Sequence, residues 1–374
     1  MCPDRLPQII RERIQRSGPI PFETFMEMGL YYPDLGYYMA PKLRIGPAGD
    51  FYTSPHLTSL FGRLLAVQLD EMKRIAGDPQ EFAILEIGAG RGYLADGIIG
   101  YIRQKLAWGK NWRYIIVERN PYVRKDQQKQ LHTYKDQIIW KSSLDEVDGF
   151  CGCVLANEVL DAFPVHLVVR SGQFQEIYVG CNESRFTEIY EELIRPELSV
   201  YIDKYRLPGA TGYRTEINLR IFDYLKSLHK MLSEGFVVTI DYGYPAYAYY
   251  AAERRRGTLL CYRGHRMNEN PYMNVGAQDM SAHVNFTSLR DWGNEFGLRT
   301  IGYCSQGLFL ASLGNDPIIA EALKAVPDFH KELLKIKTLL FDMGASHQVM
   351  VQYKGARDLN TLKGFNLKNG LNRL

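Results

Sequence analysis

Residues 82–157 alternate short apolar runs with helical stretches, and the first turn between them is rich in glycine. The run Phe82-Ala83-Ile84-Leu85-Glu86-Ile87 leads into Gly88-Ala89-Gly90-Arg91-Gly92, and residues 93–106 then read as a helix. WRYIIVERN (112–120) is a second run, and Pro121 opens the next helix where its missing N–H costs nothing. QIIWKS (137–142) and GCVLAN (152–157) supply the third and fourth runs. This alternation is the pattern of a parallel, doubly wound α/β sheet. Continuous apolar character suits strands covered on both faces. Residues 216–233 read as a further helix and 235–243 as another central strand, and β-like segments near 299–311 and 347–353 are expected to close the sheet.

The remaining chain is arranged around this core, expected over 76–181 and 216–354. Residues 1–75 read as an N-terminal helical segment, interrupted over 31–56 by a stretch dense in Gly, Pro and Tyr. Long irregular segments in compact proteins are often functional, and 46–56 is expected to act as a lid. Residues 165–181 look like a β-hairpin. Residues 182–215, polar and irregular, and 244–285 read as insertions that form a substrate cap. The basic, Asn- and Gly-rich residues 355–374 read as a loose tail. Arg254-Arg255-Arg256 is either a solvated face or a docking patch.

Composition narrows the function classes. A chain of 374 residues, 46% hydrophobic and 23% charged, can bury a large core without disulfides and is neither disordered nor fibrous. Forty-five Lys+Arg against 42 Asp+Glu leaves +3, too little for a general nucleic-acid field. No stretch approaches the ~20 apolar residues of a membrane span. Residues 1–18 lack the apolar region of a signal peptide, so the cytoplasm is the expected location. The six cysteines are scattered, with Cys151 and Cys153 spaced C-x-C rather than C-x-x-C, so no metal site is expected.

The glycine turn carries the first chemical signal. Glycines there permit unusual dihedrals and close approach of a ligand to the backbone. Glu118 ends the second strand, where a carboxylate accepts hydrogen bonds from ribose hydroxyls. A dinucleotide fingerprint is G-x-G-x-x-G, but here Gly92 comes one residue early and Tyr93 takes the third glycine's place. Glu86-x-Gly88-x-Gly90-x-Gly92 fits S-adenosylmethionine (SAM), whose cationic sulfonium and ammonium suit an acidic first residue. Ser143 and Leu144, after the third strand, are candidates for adenine contact, with an ordinary turn as the alternative.

Asn157-Glu158-Val159-Leu160-Asp161 follows the fourth strand, at the edge where an acceptor meets the methyl group. N-E-V-L here counts against a nucleobase substrate. Glu158 and Asp161 are three apart and on a helical turn would share a face. Two carboxylates on one face match a guanidinium, while helix capping is the alternative. His283 is a candidate base or a satisfied structural histidine, and Asp241-Tyr242-Gly243 could line the same mouth.

PFETFMEMGLYYPDLGYY (21–38), GDFYTSP (49–55), LEIGAGRGYLADG (85–97), VERNP (117–121), ANEVLDAFPV (156–165), GTLLCYRGHRMNENPY (257–272) and QDMSAHVNFTSL (278–289) together resemble the MidA-like SAM-dependent methyltransferase family. The resemblance implies a Rossmann-like class I SAM-dependent methyltransferase core with an N-terminal helical segment and insertions. It makes Thr53, Ser54 and Pro55 candidates for a lid near the cofactor, and it implies an exposed arginine of a protein as acceptor. Mitochondrial members modify a respiratory complex I subunit, so a eukaryotic relative would work in the mitochondrial matrix. A second copy of the chain is a further candidate partner. A small-molecule O- or N-methyltransferase and a SAM-holding assembly factor are the rival readings.

Overall fold

The computed structural model describes residues 5–41, 46, 49–50, 53–182, 185–314, 316–324 and 328–374. Seven strands form the main path of the central sheet, with the short Val284–Asn285 pairing beside the fifth: β1 (Phe82–Ile87), β2 (Trp112–Val117), β3 (Ile138–Lys141), β4 (Phe150–Asn157), β5 (Leu232–Tyr244), β6 (Arg299–Ser305) and β7 (His347–Lys354). Their spatial order is β3-β2-β1-β4-β5-β7-β6. β1 to β5 are mutually parallel, and β7 runs antiparallel between β5 and β6.

Alternation along each strand sends side chains to two cores. Ile84, Tyr114, Ile116, Leu155, Val238 and Val349 meet helices α3 (Leu60–Ile75) and α4 (Tyr93–Lys105) on one face. Leu85, Ile115, Val154, Val237 and Met350 meet α6 (Arg220–Met231) and α7 (Phe286–Glu295) on the other. Both faces are covered, which is why the strand sequences are apolar throughout. Asn120 starts α5 (Pro121–Gln130) by accepting hydrogen bonds from the Tyr122 and Val123 amides, which satisfies donors that the first helical turn leaves open.

The N-terminal segment does not stand by itself. α1 (Arg5–Ser17) and α2 (Phe22–Tyr31) lay Leu6, Ile10, Ile14, Phe22 and Phe25 against Leu167, Ile177 and Val179 of a second sheet. That sheet joins Ile20–Pro21, His166–Ser171, Gln173–Asn182, Arg185–Glu192 and Arg214–Ile217. Residues 185–217 are therefore ordered, with a strand, a helix at Pro196–Tyr205 and a second strand, rather than irregular. Their charged outward positions hide the alternation. Within 244–285 the strands Leu260–Arg263, Arg266–Asn268 and Asp279–Ser281 form a small third sheet. Arg254 stacks over Tyr244 at 4.3 Å, Arg255 donates to the Thr211 carbonyl, and Arg256 pairs with Glu269.

The end of the chain corrects the expectation of a loose tail. Phe365 is 2% exposed and packs edge-on to Phe309 at 5.3 Å. A side chain at Gly302 would collide with its ring. The Lys363 and Gly364 amides donate to Glu71 and Gln68 of α3. Composition marks such a segment as polar, but two apolar residues, Leu362 and Phe365, suffice to seat it. Phe365→Ala should lower the unfolding free energy by about 3–5 kcal/mol, measured by denaturant titration.

Candidate active site

Parallel strands bring their carboxyl ends to one rim. There the turns after β1, β2, β3, β4 and β5 surround a cleft of ≈ 880 Å³. Thr53, Pro55, Glu86, Gly88, Gly90, Glu118, Ser143, Leu144, Asn157, Glu158, Asp161 and His283 all line it, so the fold collects most of the predicted site in one place. Two predicted residues stand behind the wall. Gly92 begins α4 at φ 81°, and a side chain there would meet Leu131 at 2.9 Å. Ser54 is fully buried; its amide donates to Glu158 Oε1 at 3.3 Å, and its hydroxyl lies 3.2 Å from Gln306 Nε2. Of the expected lid, residues 47, 48, 51 and 52 lie outside the described residues.

One half of the cleft is built by the glycine turn. Gly90 has φ 54°, and a Cβ there would meet nothing within 4 Å. The backbone is thus bare toward the cleft, as a ligand cradle requires. Gln127, wholly buried on α5, donates from Nε2 to the Gly90 carbonyl at 2.9 Å and to Glu118 Oε2 at 3.2 Å. It ties the turn after β1 to the acid after β2. Glu118 Oε1 accepts the Asn120 amide at 2.9 Å, leaving capacity for a diol. Glu86 is buried and receives Tyr114 Oη at 2.8 Å; burial, tempered by that bond, pushes its carboxyl up to about 7. The Asn157 Oδ1 atom is buried without a hydrogen-bond partner beside the same space. This donor and acceptor set fits a cationic, ribose-bearing cofactor.

The other half is acidic and aromatic. Residues 158–161 are not a helical turn: Glu158 adopts φ 52°, and Asp241 Oδ2 accepts the amides of Val159, Leu160 and Asp161 at 2.9–3.3 Å. Three converging N–H groups fold the turn around a carboxylate from β5. Asp161 faces a second acid, Asp279, whose Oδ1 accepts Tyr38 Oη at 2.8 Å. Burial, with Asp241, Asp279 and Glu158 nearby, holds the Asp161 carboxyl well above its ordinary range. Burial pushes Asp279 up to about 7. Tyr31 stacks on Tyr38 at 5.6 Å, and Tyr242, Tyr244 and Tyr262 complete the wall. His283 also lines this half; burial and Arg254 lower it to about 4, and its Nδ1 is buried without a partner.

Gln127, Tyr38 and Asp279 escaped prediction. Gln127 is one of four glutamines in QQKQ and the nearby DQII, with no local mark of its burial. Tyr38 and Asp279 stand inside the distinctive segments 21–38 and 278–289, which was the available signal. Among the described residues no cluster of His, Cys, Asp and Glu could hold a metal, and no helix is long and apolar enough to cross a membrane.

The parallel sheet with a glycine turn after β1, an acid after β2 and a cleft at its carboxyl rim is the fold of a class I SAM-dependent methyltransferase. The chain belongs to the family of S-adenosyl-L-methionine-dependent methyltransferases, whose profile matches residues 64–304. It is similar to the mitochondrial protein arginine methyltransferase NDUFAF7 homolog of Drosophila melanogaster, 27% identical over 92% of this chain and 84% of the relative. The human protein arginine methyltransferase NDUFAF7, also mitochondrial, is 24% identical over 81% of this chain and 72% of its own. A Burkholderia thailandensis methyl transferase crystallised with S-adenosyl-homocysteine superposes with a TM-score of 0.88 at 28% identity, covering 100% of this chain and 97% of that one. SAM is the methyl donor of this enzyme.

Proposed function

We propose that the enzyme methylates an arginine side chain of a protein. The observation that carries this reading is the pair Asp161 and Asp279 in a tyrosine-walled pocket next to the glycine turn. A guanidinium is planar, permanently charged and rich in donors, so paired carboxylates and aromatic faces suit it, whereas a hydroxyl acceptor needs neither. The names of the animal relatives point the same way.

In this reading Gly88, Gly90, Glu86, Glu118, Ser143, Leu144 and Asn157 hold the cofactor, with Thr53 and Pro55 covering it. Bound SAM supplies a methyl group on a sulfonium. Asp161 and Asp279 grip the guanidinium and aim one nitrogen, a positioning effect. Glu158 stands beside them. The methylated nitrogen must shed a proton; Asp161, ionised against the bound guanidinium, receives it, whereas burial and Arg254 make His283 a weak base. His283 then serves as wall, beside Tyr242 and Tyr244. The cap is 244–285, which gives Thr258, Leu260, Tyr262, Asp279, Ser281 and His283 to the cleft. Outside this cap, Phe186 packs on Phe25 of α2, and Tyr201 of the helix Pro196–Tyr205 packs on Trp292 of α7. The working compartment is the cytoplasm in a bacterium and the mitochondrial matrix in a eukaryote.

The test is the fate of labelled methyl groups from SAM, given to the enzyme with protein and with small molecules from cells lacking this chain. Acid-precipitable label is expected. Label confined to the small-molecule fraction would favour the rival small-molecule methyltransferase, and no turnover at all the assembly factor.

A further inference from the structure

His347 opens β7, is wholly buried, and stands behind the wall of the cleft. Its Nδ1 lies 2.9 Å from the Met343 carbonyl oxygen and 3.1 Å from Ser346 Oγ. Its Nε2 faces Glu158 Oε1 at 3.7 Å, an ion-pair contact, and makes no hydrogen bond. A carbonyl oxygen only accepts, so Nδ1 carries a proton. An ionised carboxylate also only accepts, so a neutral ring would aim its Nε2 lone pair at Glu158. The arrangement is attractive only when both ring nitrogens are protonated.

Glu158 needs such a partner. It sits in a left-handed conformation that a residue with a side chain rarely adopts. Its Oε1 also receives the Ser54 amide at 3.3 Å and Asn157 Nδ2 at 3.4 Å. Three groups from three segments converge on that one oxygen, which leaves Oε2 for the cleft. We propose that His347 is a positioning residue: as an imidazolium it holds Glu158 Oε1 and so fixes Glu158 against the acceptor pocket. The proposal deepens the arginine reading by adding a pH control to its site.

The ring is faced by Glu158 from the turn after β4, by Asp241 and Tyr242 from β5, by His283 from the cap, and by Met343 and Ser346 from the approach to β7. Burial opposes its charge, yet Glu158, the Met343 carbonyl and Asp241 together hold it above the ordinary histidine value. With the folded pKa raised, the ion pair is complete at lower pH and is lost as pH rises through that raised value. Methyl transfer should decline on that alkaline side.

Two measurements test this on the full chain. The first is a pH titration of the imidazole nitrogens by ¹⁵N NMR, which needs no acceptor. The His347 midpoint should lie above the ordinary histidine value in the wild type and move to lower pH in Glu158→Gln. The second is methyl transfer as a function of pH. His347→Asn keeps a group near Met343 but withdraws the contact to Glu158. It should lower kcat by roughly 10- to 100-fold while SAM affinity stays within about twofold. His347→Gln, whose amide can donate from near the Nε2 position, should recover part of kcat and lose the alkaline decline. A His347 midpoint at or below the ordinary histidine value, a titration indifferent to Glu158→Gln, or a wild-type kcat in His347→Asn would overturn the proposal. If the ring titrates as expected while the methyl group goes to another residue type, the arginine reading fails and the ion pair stands.

Discussion

Gly90→Val should abolish binding of SAM and S-adenosylhomocysteine while leaving the protein folded. At φ 54° the valine pays a left-handed penalty of about 1–2 kcal/mol. A domain stable by roughly 5–15 kcal/mol survives that cost. No packing clash adds to it, because a Cβ at Gly90 has no neighbour within 4 Å. What fills is the bare backbone of the cradle, next to Glu118 and under the Gln127 bridge. A loss of at least about 100-fold in affinity, or ~2.7 kcal/mol, is expected by calorimetry, with a cooperative thermal transition retained. Gly92→Ala is the contrasting variant, since its side chain would press on Leu131 rather than enter the cleft. It should lower stability and spare affinity. Binding within about threefold of wild type in Gly90→Val would remove the glycine turn from the cofactor site.

Asp161→Asn and Asp279→Asn should lose methyl transfer and keep SAM affinity. Removing one partner of a desolvated charged contact costs roughly 2–5 kcal/mol, which is about 30-fold or more in acceptor use. The same carboxylates burden the empty enzyme, and this gives an independent signature. The Asp279 pKa is raised from 3.8 to about 7 in the folded protein. Between those values the folded state binds more protons than the unfolded one, so stability falls as pH rises across that window. Asp279→Asn removes the burden and retains an oxygen for Tyr38. It should therefore melt at a higher temperature than wild type at pH 8, by scanning calorimetry, while its transfer activity collapses. A variant that melts lower at pH 8, or that transfers at the wild-type rate, would count against a guanidinium grip by Asp279.

The cofactor half of the site was legible in the sequence because its signals are local. A strand, a glycine turn and a helix sit within residues 82–105, and Glu118 follows at the end of the next strand. The acceptor half was less legible because its contacts are distant. Tyr38 and Asp279 are 241 residues apart, and His347 reaches Glu158 from the last strand of the sheet. Spacing alone suggested that Glu158 and Asp161 share a helical face, but Asp241 gathers three amides and imposes a different turn. Both acids still reach the cleft, for a reason that lies 80 residues away. Burial of Phe365 was hidden in the same manner, since its partner Phe309, and Gln68, which accepts the neighbouring Gly364 amide, belong to remote helices.

In the proposed reading the cleft presents a guanidinium to the methyl donor. Its most direct test is the chemical identity of the modified residue. Protein labelled by the enzyme from trideuteromethyl-SAM is hydrolysed, and the labelled amino acid is identified by mass spectrometry. Methylarginine is expected, absent from reactions with Asp161→Asn. Methyl-lysine, or a methyl ester on a carboxylate, would contradict it.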